Sequence, residues 1–348
     1  MAPAAGALKV AIAGCTGRMG ERLVALTRAD PALHFVGGLR SRVQKDALVA
    51  SAVGQVSLHP PKKTGENLAG DNQEAVPNKD TAPGVYTSLD KLIEESGQKP
   101  CDYFSSPIGI VSFFTGGDLM VSSFPYPSAL LRPKIAGTMS LIPSCIRHSV
   151  ALVIGTTGFT PAEQEVVEAA AREIPLCIAA NFSLGVNLLV RIAGEVAASL
   201  GEDFDIELVE AHHNRKVDAP SGTAIALLDS IAAATGRTTC KGSADAETTA
   251  ETHRDKMVLI HGREGRSVRR RRGEVGVHAL RMGNVVGEHS VMYASDFERI
   301  TLSHHAETRD VFASGAIRMA KWIAHRPKGK YQVSDMLFQK ANSNPAEV

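Results

Sequence analysis

Paired cysteines are missing from this 348-residue chain: its five, Cys15, Cys101, Cys145, Cys177 and Cys240, are scattered, and no two form a C-x-x-C unit. That scatter argues against a disulfide framework or a thiolate zinc site and fits free thiols in a reducing compartment, so no metal is expected. Net charge is also scarce, since 38 Lys and Arg against 37 Asp and Glu leave +1, and neither nucleic acid nor a membrane surface is expected as a partner. No apolar run approaches membrane-spanning length. The first nine residues carry one lysine and no long apolar stretch, so a secretory signal is not expected and a cytoplasmic location is. What the chain does have is length and 44% hydrophobic content, enough for two domains with cores of their own.

The first recognisable unit is strand, glycine turn, helix. Leu8–Ala13 is a short apolar run typical of a buried parallel strand, and it feeds into Gly14, Cys15, Thr16, Gly17, Arg18, Met19 and Gly20 before the helical spacing of Leu23, Val24 and Leu26. Such glycines let the backbone turn sharply and approach a pyrophosphate, which the following helix N-terminus stabilises. The spacing is G-x-x-G-x-x-G, with Thr16 where the usual dinucleotide fingerprint has its second glycine. The next strand, Leu33–Leu39, ends at Arg40, Ser41 and Arg42, where dinucleotide folds read the ribose. An acid there would grip the ribose hydroxyls of NADH, whereas two arginines and a serine offer charge and a donor to a 2′-phosphate, which points to NADPH or to use of both cofactors. Two more buried-strand runs end in loops on the ligand side: Ala151–Ile154 leads to Gly155, Thr156 and Thr157, and residues 175–180, ending in Ala179 and Ala180, lead to Asn181 and Phe182.

The densest chemistry lies in residues 210–223, EAHHNRKVDAPSGT. Residues 204–210 before it alternate apolar and acidic types as a half-buried strand does, which puts His212 and His213 at a strand end. Asp218, Ala219, Pro220 and Ser221 read as a helix start, followed by apolar Ile225, Leu227, Leu228 and Ile231 and closed by Gly236. A helix beginning between Pro220 and Gly222 offers unpaired N–H groups to an anion, while Gly222 permits close approach and Thr223 adds a hydroxyl. Lys216 lies four residues from His212, so an imidazole and an ammonium could address the same small anion. Singly, each residue is ordinary strand-end or capping chemistry; together they describe a place that holds a carboxylate and protonates it. The run Arg269, Arg270, Arg271, Arg272 lacks interleaved aromatics and reads as a solvated loop over such an anionic site.

Residues 14–20, 153–159, 179–183 and the histidine motif together resemble the dihydrodipicolinate reductase family of lysine biosynthesis. The likeness continues through residues 273–276, 281–289 and the helix around Phe312 to Trp322, covering most of the chain outside 43–117 and the C-terminal tail. It implies an α/β fold with a Rossmann-type dinucleotide-binding domain, residues 1–181 and 309–348, and an α+β domain, residues 182–308, whose open mixed sheet also makes the contact of a homotetramer. The activity implied is reduction of 4-hydroxy-tetrahydrodipicolinate, a small cyclic dicarboxylate, by NADPH or NADH. In that resemblance His212 is the general acid/base, Lys216 the proton donor or charge partner, and His213, Gly222 and Thr223 the substrate holders. Residues 14–19, 155–157 and 179–182 are then the cofactor contacts. On sequence alone two other readings stand: a different Rossmann oxidoreductase of amino-acid metabolism, and a cofactor-binding protein without turnover.

The chain departs from the family at residues 121–130, where relatives carry an aspartate and this chain has none. Residues 101–117 and 132–141, rich in Ser, Pro, Gly and Phe without clear period, are expected to be loops or insertions within an irregular stretch of about 55–141, and 60–82 a surface excursion. A hinge is expected near Phe182. Beyond it the pattern predicts a helix over 185–200, strands at 204–210, 257–261, 274–281 and within 286–303, and a last helix over 310–325 that returns to the first domain.

Overall fold

A computed structural model describes residues 7–39, 84–86, 88–95, 108–112, 128–241, 256–266 and 268–338. Its strands are β1 (Leu8–Ala13), β2 (Leu33–Leu39), β3 (Val85–Tyr86), β4 (Ile108–Ser112), β5 (Ala151–Ile154), β6 (Pro175–Ile178), β7 (Asp205–His212), β8 (Thr238–Lys241), β9 (Lys256–Ile260), β10 (Glu274–Arg281), β11 (Glu288–Ala294), β12 (Arg299–His305) and β13 (Gly329–Tyr331). Its helices are α1 (Arg18–Ala29), α2 (Leu89–Glu95), α3 (Ser128–Arg147), α4 (Pro161–Ala171), α5 (Leu184–Leu200), α6 (Gly222–Ala234), α7 (Asp310–Ile323) and α8 (Val333–Leu337).

The first sheet runs β13-β6-β5-β4-β1-β2-β3, and every neighbouring pair is parallel. Successive residues of β1 point to opposite faces, so Val10 and Ile12 join Leu23, Phe312 and Ile317 of α1 and α7, while Ala11 and Ala13 join Leu92, Ile142 and Val167 of α2, α3 and α4. Helices on both faces explain why these strands read as continuous apolar runs. The strand order reverses between β1 and β4, and ligands of doubly wound sheets bind beyond the carboxyl ends at that switch point. The last helix does return to this sheet: α7 packs on α1, β4 and β5, and Arg22 of α1 pairs with Asp310. A Cβ at Gly315 of α7 would fall 1.8 Å from the Phe182 carbonyl oxygen, so this close approach to the β6–α5 connection admits only glycine.

Of the stretch expected to be loops or insertions, residues 55–83, 87, 96–107 and 113–127 lie outside the described residues, and the described parts are more regular than their composition suggests. Ile108–Ser112 is a central strand, hydrogen-bonded to both β1 and β5, and Ser128–Arg147 is a 20-residue helix. A strand buried between two neighbours shows no polar alternation, and α3 contains Pro133 and Pro143, which read as breakers. Burial of Leu141, Ile142 and Cys145 against the sheet holds the helix in spite of them. Arg40, Ser41, Arg42, residues 60–82 and residues 121–127 lie outside the described residues.

The second sheet is mixed, in the order β12-β11-β7-β10-β9-β8: β7, β10, β9 and β8 pair in parallel, and β11 is antiparallel to both β7 and β12. β8 has no counterpart among the expected strands. Leu189 and Ala193 of α5 and Leu227 and Ile231 of α6 cover one face, against Leu208, Val277, Val291 and Tyr293. The Tyr293 hydroxyl donates to the Ala193 carbonyl at 2.6 Å, satisfying the one polar atom this ring brings into the core. Glu207, Val209, His278, Ser290 and Met292 occupy the opposite face and stay partly exposed. Contrary to the expectation that no run reaches membrane-spanning length, Leu184–Asp203 is long and apolar enough by length and composition. Leu189, Ala193 and Ala197 of this helix are buried in the core against the second sheet.

Candidate functional site

At the switch point, Gly14 takes a φ of +77°, donates its N–H to the Leu39 carbonyl at 2.8 Å and accepts from Gly17 N–H at 3.0 Å. Gly17 is the N-cap of α1 and no side chain caps the helix, so its leading N–H groups remain available to an anion. A Cβ at Gly20 would lie 2.0 Å from the Gly14 carbonyl oxygen and 2.7 Å from Cys15 Cα, so only glycine lets α1 sit this close to the turn. The turn therefore fits a pyrophosphate. Thr16 and Arg18 are exposed, whereas the Cys15 and Met19 side chains are buried in the core beneath. Residues 14–19, 155–157 and 179–182 follow β1, β5 and β6, which run parallel, so the three segments share one edge of the sheet. Ala179 N–H donates to the Ile154 carbonyl at 3.0 Å, Thr156 Oγ1 is 2.8 Å from Thr138 Oγ1, and Phe182 is fully buried. Arg40 and Ser41, the expected ribose readers, lie outside the described residues.

The second half of the site is built on β7, whose alternation turns Glu210 and His212 to the face that α6 covers. Glu210 is fully buried, with Oε2 2.5 Å from His212 Nδ1. Arg281, the residue beside His212 on β10, donates to both carboxylate oxygens at 2.8 Å, and Ser221 N–H donates to Oε1 at 3.1 Å. Burial by itself would raise the Glu210 carboxyl, but the hydrogen bonds from His212 and Arg281 outweigh it and hold the group down at about 2. With Nδ1 engaged, Nε2 is the remaining His212 nitrogen, and it is buried without a hydrogen-bond partner among the described residues. Gly287 keeps the space beside it open, since a Cβ there would sit 3.1 Å from Nε2.

Lys216 Nζ lies 2.7 Å from Asp218 Oδ1, both side chains being buried. Burial pushes the Lys216 ammonium down from its ordinary value, and Asp218 works against that. Ser221 caps α6 by accepting from Ala224 N–H at 3.1 Å, so the helix begins at Gly222, inside the expected window. Asn181 Nδ2 donates to Thr223 Oγ1 at 3.2 Å and so ties the end of β6 to the start of α6. His289 of β11 stands edge-on to His212 with centroids 5.1 Å apart, and its Nε2 is 3.0 Å from Ser221 Oγ. Burial, then the neighbouring His212, pushes the His289 imidazole down to about 3, so it is neutral near pH 7.

The structure thus gathers His212, Lys216, Gly222 and Thr223 where β7 ends and α6 begins, with His213 buried at the same strand end. Asp218, which reads from sequence as part of a helix start, is instead the partner of Lys216. Glu210, missed among the expected site residues, carries a legible signal, because residues two apart on a strand share a face. Arg281, Gly287 and His289 lie in the 281–289 stretch that carries the family likeness, but some seventy positions from the motif and joined to it only by strand pairing, so their place at the site is not legible from spacing. The arginine run is a correction. Arg270 pairs with Asp205 and Glu207, and Arg272 with Glu202 and Asp203, at the opposite end of β7, roughly 20 Å from His212 at ~3.3 Å per strand residue. Acidic partners hold the run there rather than over the site.

Residues 185–337 match the family model described as dihydrodipicolinate reductase, C-terminus, and residues 8–81 and 134–182 match the one for its N-terminus. The 4-hydroxy-tetrahydrodipicolinate reductase of Myxococcus xanthus is 34% identical over 340 residues, spanning 96% of this chain and 100% of that protein. That of Alkalilimnicola ehrlichii is 44% identical over 200 residues, 58% of this chain and 69% of the relative. Among solved structures, a dipicolinate-bound dihydrodipicolinate reductase from Paenisporosarcina sp. TG-14 aligns with a TM-score of 0.57 at 20% identity, covering 95% of this chain and 100% of that one, which shows a shared fold.

Proposed function

The chain belongs to the dihydrodipicolinate reductase family, and from that premise we propose that it reduces 4-hydroxy-tetrahydrodipicolinate to tetrahydrodipicolinate with NADPH or NADH, in the diaminopimelate route to lysine. The observation that carries this reading is the buried His212 ring, engaged by Glu210 at Nδ1 and unpartnered at Nε2, beside the N-terminus of α6. Residues 14–19, 155–157 and 179–182 would hold the cofactor, with Arg40 and Ser41 at its ribose. When bound, the reduced nicotinamide supplies the hydride.

The protein's own share is to hold a dianion and deliver one proton. The leading N–H groups of α6 at Gly222 and Thr223 attract one carboxylate, and His213 and the Lys216 ammonium hold the other, the ammonium supplying the charge. His212 donates from Nε2 to the substrate as hydride arrives, a contribution of about 10²–10⁴-fold for general acid catalysis. Hydride and proton are gained, and the substrate hydroxyl leaves as water. The dipicolinate held by the Paenisporosarcina enzyme supports a small cyclic dicarboxylate as the occupant. The uncovered face of the second sheet, with Leu280, Met282 and the turn residue Phe297 exposed at its rim, supports a homotetramer built through that sheet. Membership of a family of biosynthetic reductases supports a cytoplasmic location.

The test is NADPH oxidation started by freshly made product of the preceding synthase. Wild-type protein should turn over, and His212→Gln or Lys216→Ala should lower kcat by at least about 100-fold while NADPH affinity stays within a few-fold. A wild-type protein that binds NADPH yet leaves that substrate untouched refutes the proposal.

A further inference from the structure

Two buried imidazoles, His212 and His289, meet at this site, and what each can do depends on which nitrogen bears its proton. The hydrogen-bond partners decide that. Glu210 receives four donors: His212 Nδ1 and Arg281 at Oε2, and Arg281 and the Ser221 N–H at Oε1. An ionised carboxylate only accepts, so the proton in the 2.5 Å contact belongs to His212 Nδ1. Ser221 Oγ already accepts from Ala224 N–H and lies 3.0 Å from His289 Nε2. Its single hydroxyl proton has that nitrogen as its acceptor. The reverse arrangement, with His289 donating, leaves two buried groups unsatisfied, the hydroxyl proton and the bare Nδ1, where the first leaves only the Nδ1–H, and the extra group costs about 1–3 kcal/mol. The His289 proton therefore sits on Nδ1, which is buried without a hydrogen-bond partner among the described residues.

We propose that Glu210 and Ser221 are positioning residues that both place the proton of a neutral ring on Nδ1 but reach opposite nitrogens, so that His212 faces the site with a basic Nε2 and His289 with an Nδ1–H donor. This deepens the reading of His212 as general acid and rests on it. The site then holds one ring that gains and loses a proton at Nε2 and one that only donates. The charged groups facing His212 are Glu210 on β7, Arg281 on β10, and Lys216 and Asp218 on the intervening loop, with neutral His289 on β11. Two carboxylates and two cations leave no net charge there. Replacing Glu210 by a neutral residue would leave an excess positive charge that disfavours the imidazolium.

The first measurement needs no substrate. In protein labelled with ¹⁵N-histidine, imidazole resonances assigned by His212→Gln and His289→Gln should show both neutral rings protonated at Nδ1 and bare at Nε2. A proton on Nε2 of either neutral ring overturns the assignment for that ring. The second is Glu210→Gln, which should lower kcat by about 10-fold or more, leave KM within about 3-fold and move the alkaline limb of the kcat profile to lower pH. Partial recovery in Glu210→Asp, which restores the charge, supports positioning, whereas wild-type kcat in Glu210→Gln overturns it. If the wild-type chain fails to reduce the synthase product, the reductase reading fails while the resonances still report the tautomers.

Discussion

Acid should destabilise this protein in part through one carboxylate. Glu210 is fully buried and held at about 2 by His212 and Arg281, against 4.5 for an ordinary glutamate. A carboxyl depressed in the folded state stabilises above its unfolded value, and the contribution disappears as pH falls from 4.5 towards 2. At roughly 1.4 kcal/mol per pH unit, the whole contribution is about 3 kcal/mol. About two-thirds of it, roughly 2 kcal/mol, is gone by pH 3, where the unfolded carboxyl is almost fully protonated and the folded one is not. Other carboxylates titrate in the same range, so the measured quantity is a difference between wild type and Glu210→Gln. Urea unfolding at pH 6 and pH 3 should show the wild-type advantage shrinking by about 2 kcal/mol. An advantage of the same size at both pH values would refute the claim that the Arg281 and His212 contacts outweigh burial.

Two further substitutions probe the two halves of the site separately. Gly287→Ala puts a methyl group 3.1 Å from His212 Nε2, so kcat should fall by about 10-fold or more while the urea midpoint moves little; an unchanged kcat would show that substrate does not approach from that side. Gly20→Ala forces α1 away from the Gly14 carbonyl, only 2.0 Å from the new Cβ, so fluorescence titration should show NADPH Kd raised by about 10-fold or more; wild-type affinity would mean the turn does not hold the cofactor.

Local patterning made most of the fold legible. β1, β2, β5 and β6 are short apolar runs ended by turn residues, and the Thr160–Glu163 capping box fixes the start of α4. The reading failed where tertiary contacts override local rules. β4 is Ile-Gly-Ile-Val-Ser, too short and too symmetric to distinguish from a loop, and only its pairing with β1 and β5 makes it a strand. α3 runs through two prolines because the sheet beneath rewards burial of Ile142 and Cys145 more than the lost hydrogen bonds cost. β4 and the start of α3, up to residue 133, also lie outside the N-terminal family match, which resumes at residue 134.

At the site, the legible part was the contiguous part. His212, Lys216, Gly222 and Thr223 stand within twelve residues, and the period change from strand to helix located them. Their chemistry, however, is set by groups that strand pairing delivers. Parallel pairing puts Arg281 beside His212, and antiparallel pairing puts His289 beside Glu210, so one carboxylate takes hydrogen bonds from β7, β10 and the start of α6 with a second imidazole as its neighbour. A mixed sheet is what makes this possible: β7 is the strand with a parallel neighbour on one side and an antiparallel neighbour on the other. The parallel neighbour ends where β7 ends and brings the cation there, while the antiparallel neighbour begins there and brings the second imidazole. An all-parallel sheet would bring two strand ends to the site and no strand start. The register of β10 and β11 on β7 is therefore as much a part of the candidate site as the histidine motif itself, and it is the part that a contiguous motif cannot encode.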